Sequence, residues 1–324
     1  MSRTPPPLGP GGEFDIIRRV LKDATPPGPE IALGSGDDCA LIRHGDGFLA
    51  LSVDLSVEGG HFVSDWGTPE LIGERAVRIA ISDLAAMSAE PLATLVSLNT
   101  PRTAGSGLAE RIFRGCLAAT EACGAAHIGG DLSHAADAIV IDVTALGKVV
   151  EPLLRSTARP GDALWVTGRL GAAAAAVRAW KAGGKPKDRW RRRFWEPPPR
   201  IEEARWLARA GASAAIDLSD GLLADSGHIA AASGIGLEID WEAVPAAPEI
   251  ETEIALAGGE DYELLVAAPR DIFTDDTTAE FELTFGVPLT RVGRAVSGSG
   301  VRVFRAGQEI EAASPGFDHF GDEG

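Results

Sequence analysis

Aspartates recur beside glycines at turn-like corners of this chain: Gly36-Asp37-Asp38, Gly129-Gly130-Asp131 and Asp217-Leu218-Ser219-Asp220-Gly221. Two more stand in apolar surroundings. Asp54 ends the run FLALSVD, and Asp83 interrupts a stripe formed by Ile72, Ala76, Ile79 and Met87. Carboxylates that converge repel one another and raise each other's pKa unless cations intervene. Hard divalent ions with oxygen ligands are the usual remedy, and Mg²⁺ in particular is held by a few carboxylates together with substrate phosphates and water. Glycines beside them let the backbone approach a ligand closely or take a positive φ. The joint expectation is a metal-dependent phosphate site. Each corner taken alone is also an ordinary turn, since Asp and Gly are turn residues. Asp83 keeps a second reading, because a buried carboxylate could instead be ion-paired with Arg75 or Arg78.

Several standard phosphate devices are missing. No GxxxxGK[ST] loop occurs, since Gly147-Lys148 and Gly184-Lys185 are followed by Val149 and Pro186. No GxGxxG opens a helix after a strand, and GxSxG, HExxH and the protein-kinase HRD and DFG signatures are absent. The histidines form no zinc pattern. His61, in EGGHF just beyond Asp54, is a candidate substrate contact, while His44, His127, His134 and His228 are read as structural or surface residues.

These residues must be positioned by alternating strands and helices. Helical spacing is expected over Glu13 to Lys22, Pro69 to Met87 and Ser106 to Cys123, the last with Ser106 as N-cap and Gly124 as its stop. Strand-like runs CALIR, FLALSVD and AIVIDVTALG fill the first half. In the second half ALWVTG, AAIDLSD, GLEID and YELLVAA alternate with helical stretches. The turn-rich segment from Glu151 to Asp162 marks the expected boundary. Residues 1–12 then form a flexible tail, 13–150 an N-terminal domain and 151–324 a C-terminal domain. Alternation of this kind favours α/β domains with helix-covered sheets. The single basic cluster, KPKDRWRRRFW, is read as a solvated inter-helix connection rather than a phosphate-binding lid, supported by the prolines 197 to 199.

Composition narrows the class further. The chain has 324 residues, 30 Lys plus Arg against 47 Asp plus Glu, and a formal net charge of −17. Such acidity argues against nucleic-acid or anionic-membrane partners, because phosphates need positive counterparts. With 45% hydrophobic residues the chain can build packed cores. Three cysteines without a CxxC pair give neither a disulfide framework nor a zinc site. The N-terminus lacks a signal-peptide pattern, and no run approaches the ~18 apolar residues of a membrane span. A cytoplasmic protein is expected.

Taken in order, GEFDII, GSGDDCALI, SVDLSVEGGHF, RIAISDLAAMSAEPL, IGGDLS, TALGKV, LLRSTARPGD, AAIDLSDGLLADSGHI, LAGGEDYELL and GFDHF closely resemble the thiamine-monophosphate kinase family. That family belongs to the superfamily typified by aminoimidazole ribonucleotide synthetase and selenophosphate synthetase. The resemblance runs from about Gly12 to Phe320. It implies an α/β (α+β) fold of two domains, the N-terminal one built on a mixed sheet that dimerises. It also implies transfer of the γ-phosphoryl group of ATP to thiamine monophosphate, with several Mg²⁺ ions, in a homodimer.

By position, the resemblance implies metal ligands at Asp38, Ser52, Val53, Asp54, Asp83, Asp131, Asp217 and Asp220. Asp83, Asp131 and Asp220 are the implied catalytic set. Gly130, Asp131, Arg155, Ser219 and Phe113 match nucleotide contacts, with Phe113 near the adenine. His61, Glu260 and Phe317 match contacts to thiamine monophosphate. Two positions depart from the pattern: Val53 and Leu132 stand where the family usually has Thr, and at Val53 a side-chain hydroxyl contact is lost while a carbonyl contact would survive. A related synthetase acting through a phosphorylated intermediate is the alternative. The GHF, GGEDYE and GFDHF motifs speak against it. So does the absence of a cysteine in the Gly-rich N-terminal stretch. A non-catalytic nucleotide-binding protein is the remaining rival, and the full aspartate set speaks against that.

Overall fold

Six apolar runs in the first 150 residues pair into one mixed sheet. The computed structural model describes residues 7–25, 27–135 and 137–311. The strands are β1 (Ile31–Leu33), β2 (Ala40–His44), β3 (Gly47–Val57), β4 (Glu90–Pro101), β5 (Ala126–Ala135) and β6 (Val140–Val149), in the spatial order β1-β2-β3-β6-β4-β5. Only β4 and β5 run parallel. Alternation along β6 sends Ile141, Val143 and Ala145 inward, where they are buried. The same alternation turns Val53, Leu55 and Leu95 outward, and all three are exposed.

Two helices cover the inner face, α2 (Pro69–Ala86) and α3 (Ser106–Ala122). Pro69 and the Thr68 hydroxyl, which accepts the Leu71 N–H at 3.4 Å, start α2. Their crossing depends on two glycines. A Cβ at Gly73 would stand 2.0 Å from the Ile112 carbonyl oxygen, and one at Gly115 would stand 2.0 Å from that of Glu70. Ser106 is the first residue of α3 rather than its cap. Gly105, at φ 71, takes the cap position, and Gly124, at φ 74, follows the helix end as expected.

The second sheet holds β7 (Ala163–Thr167), β8 (Ala214–Asp217), β9 (Gly236–Asp240), β10 (Leu264–Ala268), β11 (Leu289–Val296), β12 (Gly300–Arg305) and β13 (Gln308–Ile310). Its order is β13-β12-β9-β11-β7-β10-β8, with only β9 and β12 parallel. Strands β7, β8 and β10 are buried at every position. They carry apolar runs rather than alternation because both faces are covered.

One expectation changes, in the basic segment. Much of the expected tail 1–12 lies outside the described residues. Near its end the Arg18 guanidinium of α1 (Gly12–Leu21) donates to the carbonyls of Leu8 and Gly9. The basic segment is not a solvated connection. Residues Asp188–Trp195 form helix α5, in which Phe194 and Trp195 are completely buried. Together with Ala173 and Ala176 of α4 (Ala172–Lys181), they join the same apolar core as Ile72, Val77 and Ile112. Trp66 stacks on Trp180 there, at 4.8 Å between ring centroids. The arginines of α5 ride on the polar side and hide this apolar edge from a reading by composition.

On helix propensity alone Gly73→Ala would add about 0.8–1 kcal/mol. The closeness of α3 should reverse that sign and cost about 1–3 kcal/mol through overpacking. Urea denaturation followed by circular dichroism reads the difference, and a stabilised variant would refute the close crossing.

Candidate active site

Three carboxylates reach one point from three separate elements. Asp38 follows the Gly34–Asp37 loop, Asp83 projects from α2, and Asp217 ends β8. One oxygen from each lies within 4.8 Å of the others. Ser52 donates its hydroxyl to Asp83, and Ser82 donates to Asp217 at 2.6 Å. The Arg155 side chain donates to Asp38, while its backbone N–H meets the Asp37 carboxylate at 3.1 Å. The ion-pair reading of Asp83 fails, because Arg75 reaches Glu260 and Arg78 reaches Glu74.

The electrostatics follow from that crowding. Burial, then the charges of Asp217, Asp54 and Asp38, push Asp83 well above the ordinary carboxylate range. Burial and the neighbouring Asp38 push Asp217 up to about 7. Burial and the Glu260 charge do the same to Asp54, with Arg75 opposing. Asp37 also rises to about 7, through burial and the adjacent Asp38, against the pull of Arg155. Carboxylates in this state hold either protons or cations. The all-oxygen donor set suits a hard divalent ion such as Mg²⁺.

A cleft of about 980 Å³ opens beside the cluster, and Asp54, His61, Ser219, Asp220 and Glu260 all line it. Phe62, Trp66 and Tyr262 supply its aromatic wall. Asp54 lies within β3, which continues to Val57 rather than ending at this residue. Ser52 and Asp54 therefore point inward while Val53, 61% exposed, points out. The Val53 side chain is not part of the cluster. His61 accepts the Val57 N–H on Nδ1 at 3.1 Å, so its neutral ring carries the proton on Nε2.

The cleft floor is two loops zipped together. The carbonyls of Leu218 and Ser219 accept the N–H groups of Tyr262 and Glu260 at 2.8 and 2.7 Å. Glu260 and Tyr262 take φ of 74 and 48, which non-glycine residues rarely adopt. Gly259 permits the approach, since a Cβ there would stand 2.3 Å from the Ser219 carbonyl oxygen. Such outliers persist only where the surroundings hold them, and they gather at functional sites.

Other expected residues lie elsewhere. Asp131 pairs across the sheet with Ser97, Ser97 with Asp142 and Asp142 with Leu55, a row on the outer face. It is exposed and accepts the Leu132 N–H at 3.0 Å. With three strand spacings between β5 and β3, Asp131 stands about 14 Å from Asp54 along the sheet. Gly130 is confined by its strand neighbour, because a Cβ would fall 1.8 Å from the Val96 carbonyl oxygen. Phe113 packs edge-on against His127 at 5.1 Å. Phe317 lies outside the described residues.

Three further residues support the site without having been assigned to it from the sequence. Arg75 is buried on α2 beside the stripe that carries Asp83, and that placement is the one sequence signal for it. Asp37 stands directly before Asp38. Asp225, in the first turn of the helix Leu222–Ser233, accepts the N–H groups of Asp220 and Gly221 at 3.2 and 3.1 Å.

Residues 36–149 match the AIR synthase related protein N-terminal domain, and residues 159–305 match the AIR synthase related protein C-terminal domain. The thiamine-monophosphate kinase of Mycobacterium tuberculosis is 36% identical over 267 residues, covering 78% of this chain and 80% of that one. The thiamine-monophosphate kinase of Escherichia coli K12 is 33% identical over 325 residues, 95% and 98% of the two chains. Among solved structures, AaThiL complexed with AMPPCP and TMP superposes with a TM-score of 0.81 at 29% identity, covering 96% and 97%. The chain belongs to the thiamine-monophosphate kinase family of AIR synthase related proteins.

Proposed function

We propose that this protein transfers the γ-phosphoryl group of ATP to thiamine monophosphate, giving thiamine diphosphate and ADP. The carrying observation is the cluster of Asp38, Asp83 and Asp217, set beside a cleft lined by Asp54, His61, Ser219, Asp220 and Glu260. The relatives named thiamine-monophosphate kinase, and a similar structure holding AMPPCP and TMP, supply the substrates.

The acceptor is a phosphate that is already ionised, so no strong base is required. The task is to align two anions and offset their repulsion. Asp38, Asp83 and Asp217, with Asp54 and Asp220 on the cleft side, would hold Mg²⁺, which supplies charge neutralisation for the phosphates when bound. Arg155, pinned by Asp37 and Asp38, adds a fixed cation behind the cluster. Ser52 and Ser82 orient two of the carboxylates by donating to Asp83 and Asp217. His61 and Glu260 face the cleft as the contacts for thiamine monophosphate, with Phe317 keeping the aromatic role its motif implies.

We place the partner surface on the outer face of the N-terminal sheet, where Val53, Leu55 and Leu95 expose apolar area that a second copy of the chain would cover. Asp131 and Gly130 lie along that sheet, so their part in nucleotide and metal binding would be played near the subunit boundary. Free, buried Cys39, Cys116 and Cys123 fit a reducing compartment such as the cytoplasm. No helix among the described residues is long and apolar enough to cross a membrane.

ADP release should depend on thiamine monophosphate, and Asp83→Asn should lower turnover about a hundredfold or more while the far-UV spectrum is retained. ADP formed equally without the acceptor, or a near-normal variant, would refute the reading. Leu55→Arg should shift the mass seen by light scattering from dimer to monomer.

A pH dependence follows from Asp54 and Asp217. Their folded pKa of about 7 lies above the unfolded value, so the native state binds more protons across that interval. Stability of the metal-free protein should therefore fall as pH rises from 6 to 8. His228, pushed down to about 3 by burial and then by Arg155 and Arg18, acts mainly below that window. Asp217→Asn should flatten the fall and raise the metal-free melting temperature at pH 8. Added Mg²⁺ should raise it for the native chain and much less for the variant. An unchanged pH slope in Asp217→Asn would contradict this assignment.

A further inference from the structure

The Glu260 loop is gripped from its far side by α5, the helix that no family motif predicts. The Arg193 guanidinium donates to the Asp261 carbonyl and, at 2.6 Å, to the Glu263 carboxylate. Next to it, the Phe194 carbonyl accepts one Arg75 Nη at 2.7 Å, and the Phe194 ring lies 4.1 Å from the guanidinium carbon. The other Arg75 Nη donates to Glu260, and Tyr262 closes over the guanidinium at 5.7 Å. The Arg75 side chain is only 3% exposed, while that of its partner Glu260 is 25% exposed and opens to the cleft. One end of this ion pair is therefore fixed and dry, and the other faces the ligand.

We propose that Arg75 is a positioning residue for substrate recognition: clamped by Phe194, it fixes the direction in which the Glu260 carboxylate faces the cleft. This rests on the reading of Glu260 as a contact for thiamine monophosphate. A flat guanidinium can bond the Phe194 carbonyl and Glu260 together while stacking on a ring, which an ammonium cannot do. The main chain of Glu260 is already set by Ser219, so Arg75 governs the one remaining freedom, that of the side chain. Arg75 bonds Phe194 and Glu260 rather than the triad of Asp38, Asp83 and Asp217, but its charge reaches Asp54. Arg75→Lys, which keeps that charge, is therefore the variant in which phosphoryl transfer on bound substrate should change little.

The test is a double-mutant cycle on the full-length enzyme with saturating ATP and Mg²⁺, reading KM for thiamine monophosphate against kcat. Glu260→Gln should raise that KM about tenfold or more, the usual scale for losing a charge-assisted contact. Arg75→Gln should raise it similarly, and the double variant should be no worse than Glu260→Gln alone, while Arg75→Lys should change kcat and KM for ATP each by less than about threefold. Arg75→Lys keeps the buried charge and serves if Arg75→Gln does not fold. It should still raise KM for thiamine monophosphate, because the lysine cannot span both acceptors.

If Glu260→Gln raises KM but Arg75→Lys leaves it unchanged, the positioning role is overturned while the substrate contact stands. Independent, multiplying effects of the two substitutions would overturn it as well. If Glu260→Gln leaves KM unchanged, the substrate contact itself is wrong and the positioning role falls with it.

Discussion

Mutual repulsion among Asp38, Asp83 and Asp217 is the constraint around which the molecule is arranged. Three carboxylates within 4.8 Å of one another, each largely withdrawn from water, oppose the folded state unless protons or cations intervene. The surrounding structure accepts that opposition and holds each acid by a different element. A loop before β2, a helix and a strand end each bring one, and each carboxylate has its own donor in Arg155, Ser52 or Ser82. Acids crowded in this way form the kind of all-oxygen set that a hard cation neutralises.

The cluster lies at the seam between the two sheets, and the seam is fastened by charge as well as by apolar packing. Glu263, fully buried on one side of it, receives Arg193, Arg200 and the Thr167 hydroxyl. Burial alone would raise its pKa, but Arg193 and Arg200 outweigh that and hold it below the ordinary value. Two neighbouring acids in one loop thus have opposite roles. Glu263 is locked into structure, and Glu260, three residues earlier, shows part of its surface to the cleft.

Much of this is legible in the sequence. Asp83 stood out because a carboxylate at helical spacing among Ile72, Ala76 and Ile79 needs a reason to be there. The resemblance grouped Ser52, Val53 and Asp54, and only the strand they share turns the Val53 side chain to the opposite face. What escaped was long-range. Arg75 and Glu260 are 185 residues apart, and nothing local in either neighbourhood announces the partner. Asp131 shares the glycine corner of the other acids, yet strand order, not local pattern, puts it on the far edge beside β4. In α5 the density of arginine concealed Phe194 and Trp195, so a helix with a buried edge read as a solvated connection.

The insertion of α5 also bears on how the chain can be divided. The covalent chain passes from one sheet to the other near residue 150, but the first core does not end there. Ala173, Ala176, Phe194 and Trp195 complete it from the other side, and the Trp195 indole N–H is bonded to the Trp66 carbonyl at 3.1 Å. A fragment cut at the linker would expose a socket shaped for two aromatic rings. The first core therefore draws on both sides of the linker, and a boundary in the covalent chain is not a boundary in the packing.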